Sequence, residues 1–154
     1  MYIAVVTLLM LVLPSLSVLI EALLGTPLAA VALVAKWFVF WGVGLRLGIA
    51  GVRQIARPEL TARMLGIAHD DAHLVIRELG FANLGIGLVA IASLAVPGWV
   101  LAAAASGAVF YALAGLQHLR HTPRDRDQDV AMVSDLGIAA LLAAVLALSA
   151  VKVG

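Results

Sequence analysis

The sequence of 154 residues contains no cysteine, and this absence excludes several kinds of chemistry at once. Disulfide bonds, thiolate metal sites and cysteine nucleophiles all require a thiol side chain. Charge is scarce as well, because charged residues make up only 12% of the chain and the formal net charge is +1. Nucleic-acid binding through a strongly basic surface is therefore excluded, and we expect no nucleic-acid partner.

Apolar residues dominate the chain, with 64% of all positions hydrophobic and a mean hydropathy of +1.10. A soluble domain averages about 45–50% apolar residues, and a chain this small has too much surface to hide the excess from water. We therefore predict an all-α fold, a polytopic transmembrane helix bundle forming one domain over residues 1–154. Roughly 20 apolar residues cross the hydrocarbon core, and five runs qualify: about 3–24, 28–52, 76–96, 99–119 and 130–151.

Basic residues are distributed unevenly between the predicted loops. The 53–77 and 120–129 connections carry seven arginines, whereas the opposite side has only Lys36 and Lys152. The positive-inside rule then places the N-terminus in the cytoplasm and the C-terminus outside. The excess of Arg over Lys, with abundant Ala, Leu and Gly, indicates a GC-rich bacterial genome and hence a bacterial cytoplasmic (inner) membrane. The first apolar run lacks the basic n-region of a signal peptide, so we expect it to remain as a helix.

The connection over residues 53–75 is not featureless. Apolar and charged side chains alternate at helical spacing in its first half, which predicts a short interfacial helix along the inner membrane surface. A collapsed loop resting on the helix ends is the alternative interpretation. Asp70 or Asp71 is then expected to cap the third span. Within the spans, pairs of small residues such as Gly44 and Gly48 predict close approach of neighbouring helices.

A few polar side chains interrupt the apolar spans, and their depths are similar. Ionisable groups in a membrane usually face the bundle interior and find partners. The residues predicted to form one polar cluster in the cytoplasmic half are Arg46, Glu78, Asn83, Tyr111, His118 and Asp135. Tyr111 belongs to this set because it lies seven residues before His118 and thus shares its helix face.

Charge suggests how the predicted cluster is paired. Arg46 needs a counter-charge, and Glu78 and Asp135 are the two carboxylates at matching depth; His118 is expected within hydrogen-bond reach of the same group. The cluster either fixes the order of the helices and does nothing else, or also binds a ligand or moves a proton. On the outer side, Glu21 and Lys36 either form an interfacial salt bridge or extend separately to the headgroups.

Four histidines raise the question of a metal or haem site. His69 and His73 are four residues apart, and His118 and His121 are three apart, all on the predicted cytoplasmic side. However, no H-E-x-x-H signature is present, no Ser-His-Asp arrangement has a recognisable setting, and no Gly-rich phosphate loop follows a strand. We therefore predict no metal site, no catalytic residue and no cofactor, with quinone or haem as minor alternatives.

Five segments together resemble bacterial membrane proteins of the DoxX-like type and an allied membrane family of unknown function. The segments are FVFWGVGLRLGIAGVRQ at 38–54, RPELTARMLGI at 57–67, RELGFANLGIGLVAIASL at 77–94, YALAGLQHL at 111–119 and VAMVSDLGIAALL at 130–142. The resemblance implies a four-helix core to which the first span is an addition. It also implies a role for Glu78, Asn83, His118 and Asp135. Some DoxX proteins are small subunits of a thiosulfate:quinone oxidoreductase, while most relatives have no assigned activity.

Three functional hypotheses follow. The first is a bacterial inner-membrane protein, more readily a binding protein than an enzyme, whose polar cluster binds a small ligand or a lipid headgroup or relays protons. The second is a small membrane subunit of a quinone-linked oxidoreductase complex, and the third is a structural or assembly partner without a ligand. Expected partners are membrane lipid, and either other membrane subunits or further copies of the chain. A transporter would need a continuous polar path, and in the outer half of the last three spans only Ser93 and Ser106 interrupt the apolar residues.

Overall fold

The computed structural model describes residues 2–120 and 122–151, and every regular element in these ranges is helical. His121 and Lys152, which entered the sequence analysis, lie outside the described residues. The helices are α1 Tyr2–Leu23, α2 Ala30–Ala56, α3 Pro58–Met64, α4 Ala72–Ala92, α5 Val100–Arg120 and α6 Arg126–Val151, with a 3₁₀ turn Pro97–Trp99 before α5.

Five of the helices are long and apolar enough to cross a membrane, so the predicted helix bundle is confirmed. The observed helix ends differ from the predicted ones mainly next to the arginine-rich connections. The fourth helix begins at Ala72 and α6 at Arg126, about one turn earlier than hydropathy indicates. Hydropathy reports only the apolar part of a helix, whereas backbone hydrogen bonding continues into the polar residues beyond it.

Glycines set the distance between α2 and α4. A Cβ on Gly51 would lie 2.7 Å from the carbonyl oxygen of Gly80, and a Cβ on Gly87 would lie 2.7 Å from the backbone nitrogen of Gly48. Only residues without a side chain permit such backbone contact, as the small-residue spacing predicts. Gly85, by contrast, has no neighbouring atom within 4 Å and faces away from this contact.

The remaining spanning helices complete the bundle around one apolar core. Helices α5 and α6 pack against each other, and α2 contacts both of them as well as α4. The largest fully buried side chains include Tyr111, Leu47 and Leu142. The first helix packs on α2 and α6 from outside, and much of it is exposed. This arrangement matches the expected four-helix core with an added N-terminal helix.

Two of the spanning helices contain π-helical segments, Leu8–Val12 in α1 and Val39–Leu45 in α2, and these segments pack against each other. Arg46 follows the second segment directly. A π turn holds an additional residue, so it changes the side of the helix that later residues face, and such turns are frequent at functional sites. Nothing in the sequence pattern predicts either segment.

The predicted helix in the 53–75 connection is present as α3. It begins with Pro58, whose fixed φ suits a first helical position. It ends in a Schellman motif, in which Ile67 N–H donates to the Ala62 carbonyl at 2.9 Å and Gly66 N–H to the Arg63 carbonyl at 3.1 Å. Gly66 has φ +69°, a conformation that glycine adopts without strain.

The two arginine-rich connections are joined by hydrogen bonds at the start of α6. Asp125 and Gln128 form a reciprocal capping box, with Gln128 N–H donating to Asp125 Oδ1 at 2.8 Å and Asp125 N–H to Gln128 Oε1 at 3.2 Å. Gln128 Nε2 also donates to the Met64 carbonyl at 2.8 Å, which ties α6 to the end of α3. The predicted carboxylate cap on α4 is not formed. Asp71 precedes the helix as expected, but its side chain makes no capping hydrogen bond because its own backbone is already helical.

Candidate functional site

The central feature of the site is an ion pair between α2 and α6. Arg46 Nη2 lies 2.9 Å from Asp135 Oδ1, and the two side chains are 13% and 6% exposed. Of the two carboxylates considered for Arg46, Asp135 is therefore the partner. Arg cannot practically lose its proton, so a buried Arg46 requires this counter-charge.

The Asp135 carboxylate is nevertheless under-coordinated. Oδ1 is buried, and no N–H points at it with hydrogen-bond geometry, although Arg46 Nη2 is within hydrogen-bond distance. The two facts are compatible because an ion pair needs only proximity, whereas a hydrogen bond also needs the N–H to point at the acceptor. Buried polar atoms are normally satisfied, so Oδ1 has unused capacity for a donor.

Tyr111 on α5 completes the site. Its side chain is fully buried, and its ring centre lies 5.1 Å from the Arg46 guanidinium carbon, a cation–π geometry. Its hydroxyl donates to the Gly42 carbonyl oxygen in the π-helical segment of α2. We call Arg46, Tyr111, Asp135 and the Gly42 carbonyl the inner cluster. Three spanning helices thus meet at it, and Tyr2 of α1 packs against the same core.

Of the other predicted site residues, Glu78 and Asn83 lie away from the inner cluster, and His118 lies at its edge. Glu78 is exposed on α4, and among the described residues it has no ion-pair partner. His118 is half-buried and lies near enough to Asp135 to act on it electrostatically, but the expected hydrogen bond between the two side chains is not formed. The depth of each residue was inferred from helical rise, but depth does not determine the direction in which a side chain points. The inner cluster therefore contains three of the six predicted residues.

Asn83 belongs to a separate contact between α2 and α4. It is 2% exposed, and its Nδ2 donates to Gln54 Oε1 at 2.8 Å. Its Oδ1 is buried without a partner. The sequence analysis missed Gln54 because this residue lies two positions beyond the predicted end of the second span at residue 52, whereas the helix itself continues to Ala56.

Near the turn that joins α1 to α2, the salt-bridge interpretation of Glu21 and Lys36 is confirmed. Lys36 Nζ lies 2.8 Å from both Glu21 carboxylate oxygens, and Trp37 Nε1 donates to Oε2 at 2.7 Å. A second tryptophan, Trp41, donates to Ser17 Oγ at 3.0 Å. We call Glu21, Lys36 and Trp37 the outer cluster, and it attaches α1 to α2.

Among the residues that the structure describes, no three His, Asp or Glu side chains are placed to hold a metal ion. His73 Nε2 lies 3.9 Å from Asp70 Oδ1, an exposed contact within the connection before α4. His121, the predicted neighbour of His118, lies outside the described residues. The geometry therefore directs attention to the inner cluster.

Comparison with known proteins adds one assignment. A family described as a family of unknown function (DUF6790) matches residues 4–153. The chain belongs to this family. No curated protein and no solved structure matches it. The match includes all of α1 except its first two residues, together with the other four spanning helices. The comparison finds no DoxX family match, so the resemblance to DoxX-like proteins stays a prediction.

Proposed function

We propose that this DUF6790 member is a small integral protein of the bacterial cytoplasmic membrane that binds a hydrogen-bond-donating group of a small amphiphilic ligand at the inner cluster. One observation carries the proposal: the buried Asp135 Oδ1 has an ion-pair partner at 2.9 Å but no aligned donor. A carboxylate accepts several hydrogen bonds, and a buried one without them is costly. A ligand donor at this oxygen removes that cost.

The charge and access of the cluster define the class of ligand. Arg46 and Asp135 neutralise each other, so the ligand needs no net charge. The Arg46 and Asp135 side chains keep 13% and 6% of their exposure, whereas Oδ1 itself is buried, so a ligand group reaches this oxygen only when neighbouring side chains move. A hydroxyl or amide at the end of an apolar molecule fits these conditions. The hydroxyl of a lipid headgroup or of a quinol is of this kind, and a bound proton would occupy the same oxygen.

The test is native mass spectrometry of protein extracted gently from its own membrane. We expect a small ligand on the wild-type protein and on Glu78→Gln, a matched control that neutralises an exposed carboxylate on α4. The double variant Arg46→Leu/Asp135→Leu removes both charges and should lose the ligand while remaining folded, because replacing both members of a buried pair is often tolerated. A ligand retained by the double variant, or absent from wild-type protein, would refute the proposal.

The identity of the recovered molecule separates the alternatives. A quinol would favour the quinone-linked subunit that the DoxX resemblance implies. If no ligand is recovered, and a protonated Asp135 is seen by infrared spectroscopy, the relay of protons replaces ligand binding. If neither is found, the inner cluster serves only to hold α2, α5 and α6 together, as expected of a structural or assembly partner.

The proposed orientation is N-terminus cytoplasmic and C-terminus external. Seven arginines lie in the 53–77 and 120–129 connections, which supports this orientation. The hydrogen bond from Gln128 to Met64 at the end of α3 holds the two connections together on one side of the bundle. Reporter fusions after Gly98 and at the C-terminus should both be external. Opposite locations for the two reporters would mean that one helix does not span the membrane.

A further inference from the structure

A long groove runs between α1 and α6. Its volume is about 560 Å³, and its walls are apolar. Residues lining it include Val6, Met10, Leu11, Val133, Ile138 and Leu141. None of the inner-cluster side chains lines this groove, so what it binds is independent of the function proposed above.

Gly137 helps to keep the groove open. It lies on the groove side of α6, is exposed, and has no atom within 4 Å of the position a Cβ would take. The glycines of the α2–α4 contact let two helix backbones lie close together, whereas no helix packs against Gly137. Glycine inside a helix is unfavourable relative to alanine. Here it leaves space where a side chain would otherwise project.

Arg126 and Asp129 lie at the cytoplasmic end of the groove, where Asp129 also pairs with Arg124. Arg126 and Asp129 both line it, in the first turn of α6. Asp129 Oδ1 accepts a hydrogen bond from Arg124 Nε at 2.8 Å, yet the side chain is 54% exposed, so its other oxygen is accessible. Arg126 is exposed and, among the residues that the structure describes, forms no ion pair.

The length of the apolar part corresponds to one leaflet. From Val130 to Leu141 the groove follows eleven helical steps, which at 1.5 Å per residue is about 17 Å. The hydrocarbon core of a bilayer is about 30 Å thick, so an acyl chain whose headgroup lies at Arg126 would extend to about the bilayer centre.

We propose that the α1–α6 groove is a specific site for one phospholipid with a zwitterionic aminoethyl headgroup. Arg126 binds the phosphate, the open oxygen of Asp129 accepts a hydrogen bond from the ammonium, and one acyl chain lies along the groove over Gly137. Arg126 offers a partner for the phosphate and the exposed carboxylate of Asp129 a partner for the ammonium, whereas an anionic headgroup without an ammonium leaves this acceptor of Asp129 without a cation from the lipid.

The experiment places the full-length protein in micelles containing equal amounts of phosphatidylethanolamine and phosphatidylglycerol, and counts bound lipid by native mass spectrometry. We expect one phosphatidylethanolamine per chain. Gly137→Leu fills the groove and should lower lipid affinity about tenfold. The control is Gly85→Leu, because Gly85 is likewise a helical, exposed glycine without a neighbour within 4 Å, but lies outside the groove.

A second variant separates headgroup recognition from the groove. Arg126→Gln should abolish the preference for phosphatidylethanolamine while chain binding persists. Thermal unfolding of each variant verifies that it is folded. The proposal is overturned if the two leucine variants retain lipid equally, if phosphatidylglycerol is preferred, or if a second copy of the chain occupies the groove, seen as dimers that Gly137→Leu dissociates. Because no inner-cluster residue is changed, these outcomes leave the function proposed for Asp135 unaffected.

Discussion

The inner and outer clusters are both built around one ion pair, yet they differ in how well the carboxylate is satisfied. Glu21, in the outer cluster, receives Lys36 Nζ on both oxygens and Trp37 Nε1 on one of them. Asp135, in the inner cluster, is more deeply buried, and among the described residues its carboxylate has one ion-pair contact and no aligned hydrogen bond at Oδ1. The carboxylate with the greater need for donors therefore has fewer of them.

This difference distinguishes attachment from binding. The outer cluster is complete in itself and explains how an added helix is held on α2. The inner cluster has unused acceptor capacity in a setting where water does not supply donors freely. We infer that the outer cluster stabilises the position of α1, and that the inner cluster is adapted to a further group.

The largest effect is expected from removing Arg46 alone. Arg46→Leu leaves Asp135 buried without a counter-charge, and loss of one partner of a buried pair costs about 3–5 kcal/mol in soluble proteins. Adding Asp135→Leu should recover most of this loss. Equilibrium unfolding in detergent of the single and double variants measures both values. Equal stability of the two variants would show that the pair is not coupled as described.

A smaller loss of stability is expected from a substitution in the contact between α2 and α4. Helix α2 carries residues of both clusters. Gly87→Ala would place a methyl group 2.7 Å from the Gly48 nitrogen and 2.8 Å from the Gly44 carbonyl oxygen. Overpacking of this kind typically costs about 1–3 kcal/mol. Gly85→Ala adds the same methyl group in open space on the same helix and should be neutral or stabilising. Similar unfolding midpoints for both variants would contradict the close α2–α4 contact.

Tyr111→Phe tests the hydrogen bond that joins α5 to the inner cluster. It removes the hydroxyl donated to the Gly42 carbonyl but keeps the ring beside Arg46. Interhelical hydrogen bonds in membranes contribute on average about 0.6 kcal/mol and at most about 1.7 kcal/mol. We expect a loss in this range, measured by unfolding. A loss as large as that of Arg46→Leu would mean that Tyr111 has a larger share in holding the charges.

The smallest effect is expected in the outer cluster. Lys36→Met removes the charge and keeps a long apolar side chain, and the pair it breaks is partly exposed, at 28% for Lys36 and 21% for Glu21. Exposed ion pairs contribute little, and Glu21 keeps its hydrogen bond from Trp37. Global stability should change less than for Tyr111→Phe, while crosslinks between α1 and α2 should report greater movement of α1. If Lys36→Met is the most damaging of the four variants, the comparison between the clusters is reversed.

Several parts of the fold were predictable because they depend on local composition. Apolar run length predicts all five spanning helices, and helical spacing after Pro58 predicts α3. Charge alone indicated that Arg46 pairs with Glu78 or Asp135. Selecting Asp135 required the direction of each side chain around its helix, which the π-helical segment before Arg46 alters and which no apolar pattern reports.

What the sequence by itself determined is the membrane as solvent, the number of helices, and the approximate depth of each polar residue, since these follow from side-chain hydrophobicity and from a constant rise per residue. Only the tertiary structure decided that Glu78 is exposed, that Asn83 meets Gln54, and that Asp135 lacks an aligned donor. These facts depend on helix rotation and on contacts between residues far apart in the chain. Rotation is set by how all the helices pack together, so it cannot be derived from any one of them.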